Sequence, residues 1–116
     1  MFTRKRTFQL DGVELQISPL TAVQAENHLR KDAALIEEFR SEQGNGQNFK
    51  PLFEKRQRLI LELIMHGLNN ASPEMPVTVE QLKAEADNVL IDKLQEAIME
   101  LSGLRYVTPE SPPGEK

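Results

Sequence analysis

The chain contains no cysteine and no tryptophan, and its aromatic content is 5%, made of five phenylalanines and one tyrosine. Without thiols there is no disulfide framework, no Cys-based zinc site and no thiol chemistry. No stretch reaches the ~18 consecutive apolar residues that a membrane-spanning helix needs. The first twenty residues lack the apolar block of a secretory signal, so the expected location is the cytoplasm. An excess of positive charge is missing as well. Fourteen Lys and Arg stand against eighteen Asp and Glu, a formal net charge of −4, whereas a general nucleic-acid binder shows a strongly basic face. What is present suits one soluble domain: 116 residues, 39% hydrophobic and 28% charged, enough to bury roughly two-thirds of the unfolded surface.

The stretch with most apolar surface is PLFEKRQRLILELIMHGL, Pro51 to Leu68. Pro51 suits a first helical position, where its missing N–H is no loss. Leu52, Phe53, Leu59, Ile60, Leu63 and Ile64 recur at helical spacing and predict one wide apolar stripe. Leu61, Met65 and Leu68 add a second strip beside it. A helix apolar over so much of its circumference must be covered on both sides. The second strip is therefore covered either by the last helix of the same chain or by another molecule. In the latter case Leu61, Met65 and Leu68 are the candidate partner-binding residues, with Met adapting to irregular partners.

Before this helix, TFQLDGVELQI reads as a hairpin. Asp11-Gly12 suits a type I′ turn, in which both central residues take positive φ. Folded about it, Leu10 faces Val13, Phe8 faces Leu15 and Arg6 faces Ile17. Phe8, Leu10, Val13, Leu15 and Ile17 then share one side. A lone two-stranded ribbon is marginal in water, so that side must lie on helices or on a partner. Its exposed edge is a second candidate surface for self-association, with Arg4, Lys5 and Lys31 as rim charges. Arg4, Lys5 and Arg6 otherwise read as a solvated run at the start of the strand.

Pro19 closes the hairpin, and Thr21 with Gln24 fits a capping box. A helix over Ala22 to Glu42 follows, with Ala22, Ala25, Leu29, Ala33, Ile36 and Phe39 as its predicted apolar face. Gln43 to Asn48 reads as a polar break; its GNG is too short to be a phosphate loop. After the central helix, Asn69 to Pro76 forms a loop. Thr78 with Gln81 caps a short helix to about Glu85, and Asp87 caps a last helix in which Leu90, Leu94, Ala97, Ile98 and Leu101 follow helical spacing. Gly103 sits at a left-handed C-cap position with Leu104 able to fold back. The tail after Thr108 holds three prolines and no aliphatic anchor, and is expected to be disordered. The predicted organisation is a single domain over residues 1–107 and a tail over 108–116. Its fold class is α+β, mostly α, an N-terminal hairpin on a small bundle of three main helices plus one short helix.

The catalytic motifs are few. His28 and His66 lie on different helices with no second His at ligand spacing, so no HExxH zinc site is present. His66, near a helix C-terminus, reads as a partner of the last carbonyls. Glu37 and Glu38 are adjacent and point apart. No GxSxG elbow occurs. Opposing charges on the Ala22–Glu42 helix cancel phosphate attraction and disfavour a recognition helix. The expectation is a non-enzyme with no catalytic residue, cofactor, metal or small-molecule substrate, and with no nucleic-acid or membrane partner. A small cytoplasmic helical adaptor or regulator is one such class.

The order of a strand–DG–strand ribbon, "PLTAVQAENHL", an apolar middle helix and "TVEQLKAEADNVLIDKLQEAIMELSGL" resembles the tail assembly chaperones of long-tailed bacteriophages and prophages. The resemblance covers most of Phe8 to Leu104 and includes the closing Leu101-Ser102-Gly103. It implies a non-catalytic protein that coats the tape measure protein, recruits tail tube subunits and is absent from the mature virion. It also implies self-association and, in many such genes, a ribosomal frameshift that adds a second domain; here the join would fall in the Thr108–Lys116 tail.

Overall fold

A computed structural model describes residues 4–45 and 49–104. The tail over 108–116 and residues 46–48 of the predicted polar break lie outside the described residues. The fold is α+β and mostly helical, an N-terminal hairpin and four helices among the described residues. Strands β1 (Arg6–Leu10) and β2 (Val13–Ile17) pair antiparallel, with Arg6 opposite Ile17, Phe8 opposite Leu15 and Leu10 opposite Val13. Asp11 and Gly12 take φ of 48° and 86°, the positive values a type I′ turn requires. Ile17 is fully buried and Phe8 and Leu15 pack on the core, while Val13 at the turn end stays exposed. The Ser18 N–H donates to the Gly67 carbonyl at 3.0 Å and pins the ribbon to the bundle.

Helix α1 spans Ala22–Asn45, α2 Lys50–Ala71, α3 Val79–Glu85 and α4 Asn88–Leu101. The caps follow the local chemistry. Thr21 Oγ1 accepts from the Gln24 N–H at 3.2 Å while Gln24 Oε1 accepts from the Thr21 N–H at 3.0 Å. Thr78 Oγ1 accepts from Gln81 N–H at 3.0 Å and Asp87 Oδ1 from Leu90 N–H at 2.8 Å, satisfying first-turn donors that the helix itself leaves unpaired. Gly103 has φ 74°, and the Leu104 N–H returns to the Met99 carbonyl at 2.9 Å. Two expectations change here: α1 continues through Gly44 to Asn45 instead of ending at Glu42, and α2 runs on to Ala71, three residues into the predicted Asn69–Pro76 loop. A glycine near a helix end costs only about 1 kcal/mol.

The main core joins Ile17 and Leu20, the α2 residues Leu61, Leu63, Ile64 and Leu68, Val79 and Leu82 of α3, and Leu94, Ile98 and Leu101 of α4. A smaller cluster of Leu35, Leu52 and Leu59, flanked by Phe39 and Phe49, ties the far end of α1 to α2. Side-chain clamps hold the connections. Asn69 pairs both ways with the Val77 backbone, and Ser102 Oγ accepts from Leu20 N–H at 2.9 Å while donating to the Ile98 carbonyl. Arg4 donates to the Leu101 carbonyl at 3.1 Å, satisfying a C-terminal acceptor of α4.

The orientation of α1 departs from expectation. Of the predicted apolar face, Ala25 and Phe39 are half-buried, but Leu29 and Ile36 are 51% and 44% exposed and Ala22 and Ala33 face solvent. The side turned to α2 carries Gln24, His28, Lys31, Leu35 and Glu38. Gln24, Lys31 and Glu38 find partners there, Lys31 in Glu62 at 3.4 Å and Glu38 in Lys55 at 3.0 Å, while His28 Nδ1 is buried with no hydrogen-bond partner among the described residues. Satisfied polar contacts and Leu35 set the orientation, and most of the aliphatic stripe is left outside.

Candidate functional site

Leu61 and Leu68 lie in the main core at 1% and 9% exposure, and Met65 is half-buried against the same cluster. Of the two coverings open to this strip, the structure supplies the chain's own core, shared with Leu94, Ile98 and Leu101 of α4. Open apolar surface on the bundle lies elsewhere. A groove of about 810 Å³ runs between the N-terminal halves of α2 and α4. Phe49, Phe53, Ile60 and Ile91 supply its apolar lining, Gln57, Asn88 and Gln95 its neutral polar groups, and Lys50, Glu54, Arg56 and Asp92 its charges of both signs.

The groove follows from how α2 is built. Downstream of Leu59 the helix is sandwiched by α3, α4 and the hairpin, but upstream of it the apolar residues thin to Leu52 and Phe53, separated from Leu59 by EKRQR. Leu52 is buried with Leu35 of α1, and Phe53, expected in the buried stripe, is 60% exposed. Phe53 is held by aromatic neighbours, its ring centroid 5.5 Å from that of Phe39 and 6.3 Å from that of Phe49, in tilted arrangements. An exposed Phe braced by two others is an ordered anchor, and such tilted pairs contribute about 0.5–1.5 kcal/mol each. Five polar residues after Phe53 break the apolar repeat, and that interruption is the sequence signal for a half-covered helix.

The two histidines sit away from this groove, at the α1–α2 contact. His28 and His66 line a small space of about 30 Å³ with Gln24, Lys31 and Glu62. Gln24 Nε2 donates to His66 Nδ1 at 3.3 Å, which places the imidazole proton on Nε2. His66 thus meets Gln24 rather than the last carbonyls of α2. Burial lowers the pKa of both rings; for His28 the nearby Asp32 and Glu62 oppose that shift, and for His66 Glu62 does. A space of this size holds about one water, and among the described residues no three His, Asp or Glu side chains are grouped to hold a metal ion. The groove offers apolar contact bordered by charge, a surface on which the apolar face of an amphipathic helix can lie. No described helix is long and apolar enough to cross a membrane. Compared with protein-family models, curated proteins and solved structures, the chain matches none.

Proposed function

We propose that this protein is a tail assembly chaperone of a long-tailed phage or prophage. In this reading it works in the host cytoplasm, binds the helical tape measure protein, recruits tail tube subunits, performs no catalysis and leaves before the virion is complete. The observation that carries the reading is the groove between α2 and α4, with Phe53 standing 60% exposed at its wall. A chaperone of a long helical protein must hold an amphipathic helix reversibly. An open groove with an aromatic anchor and charges of both signs provides apolar contact without a deep, closed pocket.

The test is titration of the purified protein with fluorescent peptides tiling any long coiled-coil protein encoded beside it. At least one peptide is expected to bind, and Phe53→Ala is expected to weaken it about tenfold, the loss of ~1.4 kcal/mol of contact. No binding along the whole tiled length, or a gene neighbourhood without tail tube and tape measure genes, rejects the proposal. Equal binding of unrelated amphipathic helices favours the general adaptor instead.

A further inference from the structure

The exposed face of α1 has an order of residues that specifies what covers it, and the geometry points to a second copy of this chain, with the two α1 helices packed antiparallel about Ala33. This assignment is independent of the α2–α4 groove and of the proposed function. On the outward face Leu29 and Ile36 lie on one flank, both substantially exposed. Glu26, Arg30 and Glu37 lie on the other flank, with Arg40 near the centre line, at 3.6 residues per turn. Ala33, exposed and small, sits midway and permits close approach of two backbones.

Along the helix the charges run negative, positive, negative, positive: Glu26, Arg30, Glu37, Arg40. Reversing that order inverts every sign. In an antiparallel pair centred on Ala33, Glu26 faces Arg40 of the other copy and Arg30 faces Glu37, each pair occurring twice. The same two-fold axis lays Leu29 beside Ile36 of the other copy, apolar flank against apolar flank. A parallel pair in register would instead oppose like charges and set each apolar flank against a charged one. Within one copy these charges form only exposed contacts, Arg30 to Glu26 at 3.5 Å and to Asn27 Oδ1 at 3.1 Å, and Arg40 to Glu37 at 3.1 Å. Such pairs stabilise weakly and yield readily to bridging across copies.

The absence of cysteine makes the test direct, because any introduced thiol is the sole one. Sedimentation of the full chain should show a concentration-dependent dimer. Glu26→Arg/Glu37→Arg and Arg30→Glu/Arg40→Glu, each folded by circular dichroism, should each dimerise at least about tenfold more weakly, and mixing the two should restore association. Under mild oxidation, Glu26→Cys mixed with Arg40→Cys should cross-link, while Glu26→Cys alone should not. A wild-type monomer across the range, charge variants that dimerise like wild type, or Glu26→Cys cross-linking to itself as fast as the mixture would each overturn the inference.

Discussion

Ile98 of α4 fills the space that a side chain on Gly67 of α2 would occupy. A Cβ built on Gly67 runs into the end of the Ile98 side chain and stands 2.8 Å from its Cγ1. The two helices therefore touch backbone to side chain at this point, one residue from Leu68 and a turn from Ile64. The glycine's carbonyl accepts the Ser18 N–H from the end of the hairpin. One small residue thus joins ribbon, central helix and last helix.

Gly67→Ala is expected to destabilise the fold by about 1–3 kcal/mol through overpacking, despite the better helix propensity of alanine. Ile98→Ala alone should cost about 2–5 kcal/mol, since Ile98 is fully buried. Combined, the two should cost less than their sum, because the smaller residue 98 makes room for the new methyl. Urea midpoints of the four proteins measure this, and simple additivity counts against the contact.

Leu61 and Phe53 should separate stability from binding. Leu61→Ala is expected to cost about 2–5 kcal/mol by opening a cavity in the core. Phe53→Ala, largely exposed, should cost about 1 kcal/mol through its aromatic neighbours while weakening peptide capture. Thermal melts compared with peptide titrations check the split. A Leu61→Ala protein as stable as wild type would mean that the strip does not pack in the core.

Asn70 donates from Nδ2 to the Pro19 carbonyl at 3.1 Å and to Gln24 Oε1 at 2.8 Å, so it ties α2 to the turn that starts α1. Asn70→Ala is expected to lose about 0.5–1.5 kcal/mol, since the part-buried Pro19 carbonyl loses this donor and Gln24 Oε1 keeps only the Thr21 N–H. Hydrogen exchange should then accelerate at the first turn of α1 more than in α4.

The histidines predict acid lability. Both folded-state pKa values lie below the ordinary 6.5, principally because burial disfavours the charged ring. The unfolded chain therefore binds protons first as pH falls. Stability should be level above about pH 7.5 and decline as pH drops through 6.5 toward the lowered folded values. Lys31 and Arg56 reinforce the shift at His28, and Asp32 and Glu62 oppose it. His28→Gln/His66→Gln should flatten urea midpoints between pH 7.5 and 5.5; an unchanged slope rejects this origin.

Much of the local structure was legible. The hairpin register follows from period-two alternation and Asp11-Gly12, because positive φ at both turn residues admits few sequences. The caps at Thr21, Thr78 and Asp87 follow from side chains that accept their own helix's first N–H groups. The groove was not legible, because periodicity reports how many apolar residues a helix face has and not how far its neighbours extend along it. Phe53 belongs to the stripe by spacing, yet it is left at the groove wall.

By itself the sequence determined the elements, their limits to within a few residues and the mostly helical class, since turn chemistry, capping and apolar repeat act between residues close in the chain. Only the tertiary structure decided that α1 turns His28 and Leu35 toward α2 and leaves Leu29 and Ile36 outside. It also decided that Leu61, Met65 and Leu68 pack with the chain's own core. Those choices depend on which distant groups can satisfy Gln24, Lys31 and Glu38, and a pairing across tens of residues leaves no periodic trace in the chain.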